Sequence, residues 1–165
     1  MPLQLHVTGI PDIDAWPASL TFATTFVGFS RSLPLQIRNP GTDVLHVTGA
    51  SSAGDYAVSG LTLPASVPAG GVLPITVQFI PTAAGARPGS LTLQSDDPDE
   101  PSIVVALSGD ALVPPAAVVD PQAISTALPP AGTRTKTLTL RNDGGSDLVW
   151  DAGAVRLEVR DDQVG

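Results

Sequence analysis

The stretch Ile75-Thr76-Val77-Gln78-Phe79 decides the fold, because apolar and polar residues alternate in it with period two. Such a segment is a strand with one buried and one wet face. Leu33, Leu35 and Ile37 repeat the pattern with Gln36 and Arg38 outward, and Pro34 predicts an edge or a strand start, since it lacks a ladder donor. Leu91-Thr92-Leu93 and Ile103-Val104-Val105-Ala106-Leu107 supply further strands. Weaker candidates are Ile13 to Trp16, Leu20 to Phe22, Val44 to Val47, Tyr56 to Val58 and Leu61 to Leu63. Between them lie turn sequences: Asn39-Pro40-Gly41-Thr42-Asp43, Pro68-Ala69-Gly70-Gly71, Ala84-Gly85-Ala86 and Ser95-Asp96-Asp97-Pro98-Asp99-Glu100-Pro101. No window carries a 3.6-residue apolar stripe of helical length. A single β layer would leave its Leu, Val and Phe face in water, so a second sheet must cover it. The fold class is all-β, an immunoglobulin-like antiparallel β-sandwich of Greek-key type.

Composition agrees. The 17 Pro and 16 Gly among 165 residues punctuate apolar runs instead of clustering, as in a many-turned β protein. There is no Cys, which excludes disulfides and thiolate chemistry. A net charge of −8 repels phosphate backbones and anionic lipid, so no nucleic-acid partner is expected. No apolar run reaches membrane-spanning length, and Met1-Pro2-Leu3-Gln4 lacks the basic and apolar regions of a signal peptide. No membrane insertion is expected, and an export signal for the parent protein would lie outside this segment.

The chain also echoes itself. With Leu35 set on Leu138, Leu35-Gln36-Ile37-Arg38-Asn39-Pro40-Gly41 answers to Leu138-Thr139-Leu140-Arg141-Asn142-Asp143-Gly144, Leu45 falls on Leu148, and Val47 on Trp150. A match recurring at module length marks a tandem array. Leu5-His6-Val7-Thr8-Gly9 likewise answers to Val105-Ala106-Leu107-Ser108-Gly109. The division expected is therefore 2–9 as the last strand of a preceding repeat, 10–112 as a complete domain, and 116–165 as the start of a second, incomplete repeat. That last piece offers Thr137 to Arg141, Leu148 to Trp150 and Val155 to Val159 as strands, too few to close a sandwich.

Asn39-Pro40-Gly41, Val77-Gln78-Phe79-Ile80-Pro81 followed by Gly85, Gly89-Ser90-Leu91-Thr92-Leu93-Gln94-Ser95-Asp96-Asp97-Pro98 and Leu107-Ser108-Gly109 together resemble the ASH (Hydin-type) immunoglobulin-like domains, relatives of the major sperm protein sandwich. Asn142-Asp143-Gly144 resembles the start of a second such repeat. Pro40 departs from the family's usual Thr, Asp96 from its usual Asn, and Asp110-Ala111 stands where a final Gly is usual; all three touch turns. The resemblance implies a non-catalytic structural or protein-interaction module acting as spacer, scaffold or docking domain. Such domains occur in tandem in ciliary, centrosomal and other scaffolds and in large bacterial surface or secreted proteins. The preference for Arg over Lys and the Ala, Pro and Gly content favour the bacterial, extracellular setting over a cytoplasmic or ciliary one.

The candidate sites are few, and no cofactor is expected. Asp96, Asp97, Asp99 and Glu100 offer oxygen ligands to calcium, but between Pro98 and Pro101 they fit a solvated turn better, and no EF-hand glycine is present. Asp12, Asp14 and Asp120 lie near expected module junctions. His6 and His46 are the only imidazoles, and His46 faces outward between Leu45 and Val47. No converging Ser, His and Asp set is visible, so no enzyme is expected. Trp16, Trp150 and Tyr56 suit either glycan stacking, as in a carbohydrate-binding accessory domain, or core and contact filling. Phe22, Phe26 and Phe79 are expected in or near the core, and Phe29 on an exposed turn. The partner expected is protein: neighbouring modules, or homotypic contacts through exposed strand edges.

Overall fold

The computed structural model describes residues 8–127 and 132–153. The chain divides into two units, residues 1–114 and 115–165, each considered by itself. In the first lie β1 (Asp14–Trp16), β2 (Ser19–Phe26), β3 (Arg31–Arg38), β4 (Leu45–Ala53), β5 (Tyr56–Ser59), β6 (Ala65–Val67), β7 (Val72–Phe79), β8 (Gly85–Ala86), β9 (Gly89–Ser95) and β10 (Ser102–Leu112). The second holds β11 (Ala117–Asp120) and β12 (Thr139–Asn142). Among the described residues there is no helix, and none is long and apolar enough to cross a membrane.

One sheet has the order β1-β3-β7-β5, and the other β2-β10-β9-β4-β6 with β8 also on β10. The alternating strands that the sequence predicts meet face to face: Leu35, Ile37, Ile75, Val77 and Phe79 from the first sheet, and Leu20, Phe22, Leu45, Val47, Leu91, Leu93, Val105 and Leu107 from the second. Burial of this set is the main stabilising term. At one end the rings of Phe22, Tyr56 and Phe79 pack with centroids 5.1 to 5.7 Å apart. Consecutive strands repeatedly change sheets, which is the Greek-key pattern. The first change comes at Pro17: β1 pairs antiparallel with β3, and β2 pairs parallel with β10.

Several expectations are corrected in detail. Pro34 lies inside β3 and not at its start, and the other expectation, an edge, holds there, because β1 pairs only with Gln36, Ile37 and Arg38. Leu61 to Leu63 is not a strand. The pairing with β4 begins at Ala65, beyond Pro64, and brings in Val67 as the buried residue. Phe26 is 39 % exposed at the end of β2, against the expected core position, because a bulge at Ala23 and Thr24 changes which residues face inward. Phe22 and Phe79 are buried and Phe29 is exposed, as expected.

In the second unit β11 pairs antiparallel with β12, Ala117 opposite Asn142 and Asp120 opposite Thr139. Leu148 to Trp150 is not a strand. Its counterpart in the first unit, β4, is held by β9 and β6, and neither has an equivalent among the described residues of the second unit. The expected strands at 2–9 and Val155 to Val159, and His6, lie outside the described residues in whole or in most part.

Candidate functional site

Two buried side chains hold the segment that leads into β1. The β3–β4 corner places Asn39 in the interior, fully buried. Its Oδ1 accepts from the N–H groups of Asp12 (3.2 Å) and Gly41 (3.1 Å), and its Nδ2 donates to the carbonyl oxygens of Asp43 (2.7 Å) and Val67 (2.9 Å). One amide therefore ties together the leading segment, its own turn and β6, with all of its strong hydrogen-bonding capacity used. Gly41 is required by close approach, since a Cβ there would meet the Ile10 carbonyl oxygen at 2.4 Å. The Asn-x-Gly signature is thus a structural device.

The acidic hairpin is the second holder: Asp96, Asp99 and Glu100 are exposed, as a solvated turn requires, and Asp97 alone departs from that expectation. Asp97 is only 2 % exposed. Its Oδ2 accepts from the N–H of Ile13 (2.8 Å), and its Oδ1 from the N–H groups of Asp99 (3.2 Å) and Glu100 (3.3 Å). Burial raises the Asp97 carboxyl, but these N–H groups outweigh it and hold it below the usual carboxylate range. Asp99 is raised, because the Asp97 carboxylate beside it shares a hydrogen bond and repels its charge. Asp12, Asp97 and Glu100 each bring one oxygen to within 4.8 Å of the others. Of these, both Asp97 oxygens already receive donors from the chain, so its established work is to anchor Ile13.

Asp96 faces outward and engages His46, the partnership that sequence reading missed. Its Oδ1 accepts from the His46 N–H (2.7 Å), its Oδ2 lies 2.8 Å from His46 Nδ1, and its own N–H donates to the His46 carbonyl (3.1 Å). Burial raises the Asp96 carboxyl, and the His46 contacts together outweigh that and lower it. A register shift between Val47 and Gly49 sets β4 against the hairpin so that these two meet, and no local pattern signals it. A similar clasp fastens the opposite end: Asp55 accepts from Arg87 Nε (2.5 Å), Thr82 N–H (3.1 Å) and Thr82 Oγ1 (2.9 Å). Tyr56, buried, donates its hydroxyl proton to the Arg87 carbonyl (2.6 Å), which makes it a core residue and not a ligand platform.

The tryptophans are outside the core. Trp16 is 55 % exposed with the Arg38 guanidinium 4.7 Å from its ring centroid, and Arg38 in turn donates to Gln36. Trp150 is 65 % exposed and, with Leu140, Asn142, Asp147 and Leu148, borders an open hollow of about 380 Å³. Asp14 lies exposed on β1 and Asp120 exposed on β11.

The second unit rebuilds the Asn39 corner. Asn142 Oδ1 accepts from Ala116 and Gly144 N–H groups (3.0 Å each), and its Nδ2 donates to the Ser146 carbonyl (2.7 Å). Gly144 answers to Gly41, Ser146 to Asp43, and Ala116 to Asp12. Residues at core-equivalent places are open here: Leu138 is exposed, whereas its counterpart Leu35 is buried.

A two-sheet sandwich with this corner and its hydrogen-bonded holders defines an immunoglobulin-like module. Residues 13–103 match the family model "ASH: Abnormal spindle-like microcephaly-assoc'd, ASPM-SPD-2-Hydin", and the chain belongs to that family. No curated protein sequence matches it. Among solved structures it is similar to the ASH/PapD-like domain 7 of human CEP192 (18 % identity, TM-score 0.48, 68 % of this chain and 96 % of that one). It is also similar to a Porphyromonas gingivalis W83 protein of unknown function (14 %, TM-score 0.50, 62 % and 46 %) and to WR4, a Caenorhabditis elegans MSP family member (13 %, TM-score 0.42, 59 % and 96 %). ASH domains are generally non-catalytic, and the family is one of protein-interaction modules.

Proposed function

We propose that this chain is a non-catalytic module that works as spacer, scaffold or docking domain in a larger multi-domain protein, with protein as its partner. In this reading residues 10–112 are one complete ASH-type domain, 116–165 open a second, and 2–9 close a preceding one. The observation that carries it is the repeated corner, Asn39 with Gly41 and Asn142 with Gly144, bonded alike in two separate units. Pro114 and Pro115 lie between Leu112, whose carbonyl accepts from Val27 N–H, and Ala116, whose N–H is held by Asn142. Two fixed φ angles stiffen that connection.

The open apolar side chains of the second unit, Leu138 and Trp150 among them, supply the surface for neighbouring modules or a second copy. Solution mass against concentration, measured on the full chain and on a version ending at Leu112, tests this. Association of the full chain alone assigns contact to the second unit. Monomers in both cases remove the homotypic contact and leave the spacer role.

A further inference from the structure

We propose that the first unit is built to carry tension between its two ends, and that the parallel β2–β10 ladder bears the load. This rests on the reading of the chain as modules joined in series. The geometry that leads to it is the place of the two strands in the chain. The backbone enters β2 at Ser19 and finally leaves β10 at Leu112, and the two strands run parallel with Ser19 opposite Ala106 and Phe26 opposite Leu112. The two ends of the domain therefore issue from opposite ends of the same pair. Pulling them apart drags β2 one way and β10 the other, along their common axis. The bonds on either side of the bulge at Ala23 and Thr24, from Ser19 to Phe22 and from Thr25 to Phe26, are then strained together instead of one after another. Strands whose free ends issue from the same end of a pair would instead separate one bond at a time.

The side chains reinforce the ladder. Leu20 and Phe22 point from β2 into the core, with the Phe22 ring against Tyr56 and Phe79. Sliding β2 by one residue would turn this whole set to the outer face. On that outer face Ser108 Oγ donates to Thr21 Oγ1 across the pair (3.2 Å). β10 cannot follow β2, because β9 holds its other side from Ser102 to Leu107. Before force from the leading end reaches β2 it meets the Asn39 bond to Asp12, the Asp97 bond to Ile13 and the β1–β3 pairs. All of these lie ahead of the ladder on one load path.

The test is single-molecule force spectroscopy on the full chain. Absence of Cys makes attachment points free to choose. Handles on the two termini load the ladder lengthwise. Handles on Ala18→Cys and Ala106→Cys, both exposed and at the leading end of the ladder, where Ser19 lies opposite Ala106, peel it from one side. Forced unfolding reads the barrier to rupture, and the lengthwise force is expected to be several-fold higher at equal loading rate. Equal forces in the two geometries would overturn the inference. As a second readout, Thr21→Cys with Ser108→Cys places two thiols where two hydroxyls already touch. Closing that disulfide should abolish the high-force event and reduction should restore it; an event that persists with the bridge closed would put the resistance elsewhere and sink the proposal. Neither result depends on whether the chain self-associates, so the tension reading and the light-scattering reading fail separately.

Discussion

Asn39 and Asp97, from opposite sheets' loops, take the N–H groups of two successive residues, Asp12 and Ile13. The leading segment is thereby pinned before it becomes a strand, and both signatures of the family, Asn-x-Gly and the acidic hairpin, converge on that one stretch of backbone. Buried polar groups that are fully satisfied specify a single arrangement, and half-satisfied ones are costly.

Replacing Asn39 by Ala leaves two carbonyls and two N–H groups without their partner, at a cost of about 2–4 kcal/mol. Asn39→Asp is expected to be no better, because a carboxylate oxygen would then face the Asp43 and Val67 carbonyls in place of a donor. Urea midpoints of the two variants check both points.

Asp97→Ala should cost about 2–4 kcal/mol, since three N–H donors lose a charged acceptor. With the Asp97 oxygens so engaged, millimolar calcium is expected to leave Tm unchanged. A rise in Tm, abolished by Asp12→Asn, would instead assign a cation to Asp12, Asp97 and Glu100, because a ligand that binds the native state alone raises Tm.

Asp55 gives a pH dependence of defined sign. Its hydrogen bond from Arg87, against the opposing effect of burial and with help from Thr82, lowers its pKa from 3.8 to about 2. A group whose native pKa is depressed stabilises the fold above its ordinary pKa and loses that contribution as pH falls through the native value. Stability should therefore decline between about pH 4 and pH 2, and Asp55→Asn should flatten that decline while lowering stability at pH 7. Urea titrations across this range decide it.

Gly109 sits where the Leu-x-Gly signature ends, and a Cβ there would lie 2.8 Å from the buried Phe79 ring. Gly109→Ala is expected to lose about 1–3 kcal/mol by overpacking. Trp16→Ala, by contrast, should cost under about 1 kcal/mol, the worth of an exposed cation–π contact. Thermal scans of the two variants side by side rank them.

The sandwich was legible where period-two alternation is strong, in β3, β7, β9 and β10, because burial of one face leaves a direct mark on residue type. Positions set by distant partners left no such mark. Asp97 sits among acids and prolines and reads as solvent-facing; only Ile13, far away in the chain, gives it a buried role. His46 and Asp96 meet through a register shift, and Phe26 is turned out by a bulge, neither of which alters the residue pattern nearby. Leu148 to Trp150 carries the composition of a strand without the neighbours that would make it one. What the sequence did disclose of the site was the repeated Asn-x-Gly, since a motif printed twice at the same place in two modules is visible without any structure.

The Asn142 corner has a consequence for the order of events during synthesis. All three of its bonds fall between Ala116 and Ser146, and they are in place although the described residues around it complete no sandwich. On a ribosome, the Asn142 corner can set as soon as the chain to Ser146 has emerged. A landmark that closes from local sequence keeps the newly made strands of one unit together and guards against exchange with the other.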